Sequence, residues 1–167
     1  SVTNDLSTDQ RLDRVCNSLC NMGFDVLLVG RKKCDSLPLD QRNYHLKRMK
    51  LLFEKGPFFY AEYNIRLFFL LLFQKSDLLV SNALDTLLAN LLASRLKGKP
   101  LVYDSHEYYT ETPELIERKS VQKIWERSEK WIFPKLNNVY TVNKSIAQLY
   151  YEKDGVLPDV IRNLPVK

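Results

Sequence analysis

The stretch from residue 77 to 104 constrains this chain most. Asp77-Leu78-Leu79-Val80-Ser81 is an apolar run of strand length. Leu84, Leu87, Leu88, Leu91, Leu92 and Leu96 then recur at helical spacing, and Gly98 stops that helix. Pro100-Leu101-Val102-Tyr103-Asp104 makes the next strand, with its proline at the tolerated first position. Two strands joined by one helix form a parallel, right-handed crossover.

The same alternation runs through the rest. Residues 8–22 read as a helix, with Ser7-Thr8-Asp9-Gln10 as a capping box and Gly23 as the stop. Phe24 to Val29 read as a buried strand ended by Gly30, and residues 31–43 as loop. His45 to Leu51 alternates as a strand, Gly56-Pro57 breaks the chain, and residues 58–73 form an apolar, aromatic helix. Later come a helix near 114–118 and another at 120–133 with Val121, Ile124, Trp125, Ser128 and Ile132 on one face. Asn138 to Val142 is a strand, Asn143 caps a helix over 144–153, and Asp159 to Arg162 is a closing strand. The expected fold class is α/β: a Rossmann-like three-layer sandwich around a mostly parallel sheet. The opening residues read as a strand end and residues 160–165 as a strand entering a linker, so a fragment of a longer protein is expected.

The 167 residues suit one domain with a real core. Apolar residues at 45% and charged residues at 27% exclude intrinsic disorder. The net charge of +5 comes from 25 basic and 20 acidic residues that are interspersed, which argues against a nucleic-acid module. Three cysteines point to free thiols in a reducing compartment, and no metal is expected: Cys16 and Cys20 share a helical face without a second ligand pair. No signal peptide is visible, and the longest apolar run, Leu67 to Phe73, is far below the roughly 20 residues a spanning helix needs.

In a parallel sheet, ligands gather outside the carboxyl ends of the strands. Candidate chemistry therefore lies in 3–11, 30–33, 81–85, 104–112 and 143–145. No GxGxxG, GxxxxGK[ST], GxSxG or HExxH occurs, which disfavours dinucleotide, P-loop, hydrolase-elbow and zinc-peptidase chemistry. Asp104-Ser105-His106-Glu107 is the best cluster: a histidine at a strand end can hydrogen-bond a sugar hydroxyl or stabilise developing charge, with Glu107 beside it. A loop that merely starts the next helix is the other reading. Asn4, Asp5, Asp9, Gln10 and Arg11 open the first helix, whose N-terminus suits anions, with simple capping as the alternative. Asn82 and Asp85 repeat that geometry, with Ser81 or Asp85 as a helix cap on the plainer account. His45 and the run Lys47-Arg48-Met49-Lys50 read as a solvated surface. The aromatic helix 58–73 reads as core, or as a face presented with Lys50, Lys55 and Arg66 to an anionic membrane.

The segments 79–89 and 100–107, together with Thr8-Asp9-Gln10-Arg11 and Val160-Ile161-Arg162-Asn163, resemble the N-terminal domain of family-4 glycosyltransferases over nearly the whole chain. The resemblance implies half of a GT-B fold that binds the acceptor, a carbohydrate or lipid-linked molecule. A C-terminal domain, absent from this chain, would bind the nucleotide-sugar donor (a UDP- or GDP-sugar). It also implies hexosyl transfer with retention, no cofactor or essential metal, and polysaccharide or glycolipid synthesis in the cytoplasm or peripherally at the inner membrane face. His106 matches the family's reaction-centre histidine. Asn4 to Arg11 match the loop that shapes the acceptor pocket and closes over the donor phosphates, and Asn82 and Asp85 match a cleft-facing loop. The first loop has no Gly-Gly pair, and Val80 and Ala83 stand where relatives often carry His and Asp. The fragment alone is expected to be inactive. The competing readings are a non-catalytic binding module at a membrane surface and a sugar-nucleotide epimerase of the same fold.

Overall fold

The computed structural model describes residues 1–7, 9–112 and 117–162. Thr8 of the expected capping box, most of the helix expected near 114–118, and residues 163–165 lie outside these. The chain divides into two compact units, Ser1–Arg66 and Leu67–Lys167.

The first unit holds α1 (Gln10–Asn21), the strands β1 (Leu27–Lys32) and β2 (His45–Lys50), and the start of α2 (Gly56–Phe73). The cap of α1 is Asp9, whose carboxylate accepts from Leu12 N–H at 3.0 Å, so the expected box yields to a single Asx cap. Gly23, at φ 90°, closes a Schellman turn: its N–H reaches Cys20 O and Phe24 N–H reaches Leu19 O. That turn takes Phe24 out of the strand expected at 24–29, and β1 begins three residues later. β1 and β2 pair in parallel, Leu27 opposite His45 through Lys32 opposite Lys50. Val2, Leu6, Leu12, Cys16, Leu28 and Tyr44 form the core of this unit. Burial in that core lifts the Cys16 thiol to about 11.

Gly30 does not end the strand as expected; it lies buried within β1. A Cβ there would meet Leu6 at 2.6 Å and Asn4 O at 2.7 Å. Residues 2–4 run beside β1, with Val2 N–H on Val29 O and Arg31 N–H on Asn4 O, both at 3.0 Å. The chain crosses so close that only glycine fits.

The second unit is a four-stranded sheet, order β3 (Leu79–Ser81), β4 (Leu101–Ser105), β5 (Asn138–Thr141), β6 (Asp159–Val160), with every pairing parallel. Its helices are α3 (Leu84–Lys97), α4 (Lys119–Ile132) and α5 (Lys144–Asp154). Asn143 caps α5 as expected, accepting from Ile146 N–H at 2.8 Å. Tyr103, Phe133 and Tyr150 form an aromatic centre, with Phe133 and Tyr150 stacked at 4.5 Å. Lys97 ties the end of α2 down by donating to Leu71 O, Gln74 O and Ser76 Oγ.

Two helical faces differ from the periodicity. On α3, Leu84, Leu87 and Leu91 are buried, but Leu88, Leu92 and Leu96 face solvent. Its buried side instead includes Ala89 and Ala93, small residues that permit close approach. On α4, Ile124 is exposed and Glu129 is buried.

Candidate functional site

All strands of the second unit run the same way, so the segments after β3, β4 and β5 share one edge. Asn82, Asp85, His106 and Glu107 are brought to that edge, at the ends of the neighbouring strands β3 and β4.

After β3, Ala83 adopts φ 138° and ψ 161°, a region almost reserved for glycine. Two hydroxyls hold it there: Ser81 Oγ and Thr86 Oγ1 lie 2.8 Å apart and 3.2 and 3.3 Å from Ala83 O, and their two protons make two of these three contacts at a time, one hydroxyl bonding the other or the carbonyl. Ala83 is the N-cap of α3 and caps it with no side chain, so neither Ser81 nor Asp85 serves as the expected cap. Asp85 stands in the first turn of α3, buried, where a carboxylate complements the helix dipole.

After β4, Asp104 and Ser105 belong to the strand and are buried; His106 is the first residue beyond it. The His106 ring is partly exposed, yet its Nδ1 is buried and makes no hydrogen bond among the described residues. Glu107 is exposed. The loop is anchored on both sides of the histidine. Ser105 Oγ bonds Tyr150 Oη at 2.7 Å, and Thr141 Oγ1 donates to Ser105 O at 2.7 Å. Farther on, Gln122 donates to Thr110 O at 2.9 Å, and the Tyr109 and Trp125 rings meet edge-on.

One further anchor was not visible in the sequence. Lys153 Nζ on α5 donates to Glu129 Oε2 on α4 at 2.8 Å and to Thr110 Oγ1 at 3.4 Å, and it lies 5.1 Å from the Tyr108 ring centroid. Burial raises the Glu129 carboxyl above its usual range, while Lys153 opposes that rise. Burial would lower the Lys153 ammonium, but its bond to Glu129 outweighs this and raises it. One signal could have found Glu129: it sits four residues after Trp125 and three before Ile132, on their helical face.

In the first unit the predicted residues divide by task. Asn4 Nδ2 donates to Asp9 Oδ2 at 2.6 Å, which leaves Asp9 Oδ1 to cap α1. Asp5 accepts from Arg48 at 2.7 Å, from Ser7 at 3.2 Å and from Ser36. Burial alone would raise the Asp5 carboxyl, but Ser36 and Arg48 together hold it below its ordinary value. Arg48 is thus a nearly buried ion-pair partner, against the solvated reading of Lys47-Arg48-Met49-Lys50, and Met49 is buried too. His45 is on the surface as expected, 3.7 Å from Asp25. Gln10 is exposed and Arg11 half-exposed at the start of α1.

An all-parallel α/β sheet with a polar rim at its carboxyl edge defines a Rossmann-like domain. The family model described as Glycosyltransferase Family 4 matches residues 10–165, and the chain belongs to that family. No curated protein matches it. The general role is therefore that of a glycosyltransferase. Among the described residues, no helix is long and apolar enough to cross a membrane.

Proposed function

We propose that this chain is the acceptor-binding half of a retaining glycosyltransferase. It would move a hexosyl group from a UDP- or GDP-sugar to a carbohydrate or lipid-linked acceptor in cell-surface polysaccharide or glycolipid synthesis, on the cytoplasmic side. A C-terminal domain would hold most of the donor, so the 167-residue chain alone is inactive. The observation that carries this reading is the buried Nδ1 of His106, which has no hydrogen-bond partner among the described residues, on an otherwise anchored loop. A buried polar atom costs free energy until it is paired, and a sugar hydroxyl can supply the partner.

In this reading His106 hydrogen-bonds the transferring sugar and stabilises charge at the reacting centre. Asn82, Asp85 and Glu107 offer amide and carboxylate groups to hydroxyls along the same edge. In the first loop, Asn4, Asp5 and Asp9 are occupied in holding its shape. Gln10 and Arg11 stand at the α1 N-terminus, where the helix dipole and a guanidinium fork suit an acceptor or donor phosphate.

The test is transfer by the full-length gene product offered UDP- and GDP-sugars. His106→Ala is expected to lower kcat/KM by about a hundredfold or more. Turnover within twofold of the unaltered protein would refute the histidine's role, and absence of any transfer would refute the reaction.

A further inference from the structure

The carboxyl end of β2 leads into a turn that runs into the first residues of α2, and this segment, residues 51–58, presents large apolar side chains to solvent. Leu52 is 80%, Phe58 69% and Phe53 47% exposed. The backbone that carries them is held in place. The Glu62 carboxylate accepts from Leu52 N–H at 2.9 and 3.0 Å and from Phe53 N–H at 3.0 Å. Arg31 donates to Glu54 O at 3.1 Å, and the Phe53 and Phe58 rings lie 5.5 Å apart.

Positive charge surrounds this tip. Lys32 and Lys50 are paired in register at the strand ends, and Lys55 lies within the turn; all three are exposed. Arg31 and Lys33 stand beside them, against Glu54 and Asp35. An exposed apolar patch rimmed by lysines complements a surface that is apolar below and anionic above.

We infer that the 51–58 turn docks the protein on an anionic lipid bilayer. Leu52, Phe53 and Phe58 enter the headgroup boundary, and Lys32, Lys50 and Lys55 face the phosphates. This keeps Phe58, Lys50 and Lys55 from the alternative reading of helix 58–73 as a membrane face, and replaces the rest of that helix and Arg66 by the segment that precedes it. The helix buries Phe59 and Tyr63 and exposes Ile65, Phe69 and Phe73, but its Arg66 is paired with Glu62 at 2.8 Å, so the lysines cluster only at its start. The inference needs no sugar transfer, so it can fail or hold independently of the proposed reaction.

Co-sedimentation of the chain with vesicles tests it. Binding is expected to vesicles of equal parts phosphatidylglycerol and phosphatidylcholine, weakening with salt, and not to phosphatidylcholine alone. Each lysine contributes about fivefold in partitioning, so Lys50→Glu/Lys55→Glu should lose at least tenfold. Phe53→Ser/Phe58→Ser should lose a similar amount. Leu88→Ser/Leu92→Ser, in the exposed apolar stripe of α3, should bind as the unaltered chain does. A dye on the exposed Cys34, whose Sγ lies 3.0 Å from Glu54, should shift to the blue on anionic vesicles in a chain with no altered turn residue. Failure to bind anionic vesicles, equal binding to neutral ones, tip variants that bind normally, a stripe variant that loses as much, or an unshifted dye would each overturn it.

Discussion

Lys153 reaches across from α5 to a carboxylate on α4 that has no solvent exposure, closing a 2.8 Å bond between its Nζ and Glu129 Oε2. The same ammonium touches Thr110, four residues past His106, so this pair fixes the loop that carries the candidate reaction-centre histidine. Removing the ammonium leaves a buried charge uncompensated. Lys153→Met is expected to cost about 2–4 kcal/mol near neutral pH, measured by urea denaturation. The sign of its pH dependence follows from Glu129. A carboxyl whose folded pKa lies above its unfolded one stabilises at low pH and loses that contribution as pH rises through the folded value. The deficit of Lys153→Met should therefore shrink toward about pH 4, and adding Glu129→Gln should remove that dependence. A deficit that is constant with pH would mean that Glu129 keeps another counter-charge.

The Asp5–Arg48 pair has the opposite sign. Asp5 is held below its ordinary 3.8, so its contribution is present above that value and lost as pH falls through the folded pKa. Asp5→Asn should cost about 1–3 kcal/mol at neutral pH and nothing in strong acid, giving a flatter acid limb in a pH series of thermal melts. Parallel acid limbs for the two proteins would show that the pair adds no net stability.

Local signals were legible and long-range ones were not. The α3 leucines, the alternation of β2 and the Asn143 cap lie within a few residues of one another, and each element appears where its pattern places it. Asp9 replaced the expected Ser7–Gln10 box because Asn4, held by the chain crossing β1, turns the carboxylate onto the helix. Gly30 resembled a strand stop because nothing nearby in sequence shows that Leu6 lies over it. Arg48 read as surface because its partner, Asp5, is 43 residues away. Glu129 and Lys153 are 24 apart, each on a helix whose polar face could have held it. The His106 edge was legible from strand order alone, since parallel strands put their carboxyl ends together whatever the side chains are.

Gly30→Ala tests the crossing of the first loop over β1. The new methyl would stand 2.6 Å from the Leu6 side chain and 2.7 Å from Asn4 O. The side chain can shift, but the backbone oxygen can move only if the 2–4 segment leaves its hydrogen bonds to Val29 and Arg31. A loss of about 1–3 kcal/mol is expected, and Leu6→Ala added to it should restore none of that loss. Full recovery in the double variant would show that Leu6 alone makes the contact tight.

Ala83→Gly should act in the opposite direction, and should do so at the candidate site itself. At φ 138° and ψ 161° a Cβ is strained by about 1–3 kcal/mol. Glycine removes that strain but gives back part of it through the greater freedom of the unfolded chain. The net expectation is a gain of about 1 kcal/mol, or about 2–4 °C in Tm for a chain of this length. The Ser81 and Thr86 hydroxyls brace the turn through each other and through Ala83 O, so its shape should persist without the methyl. Thr86→Val would remove one of those holds and should cost stability in the alanine protein, and less in the glycine one, where the turn no longer works against a Cβ. A lower Tm for Ala83→Gly would mean that the methyl contributes packing worth more than the strain it carries.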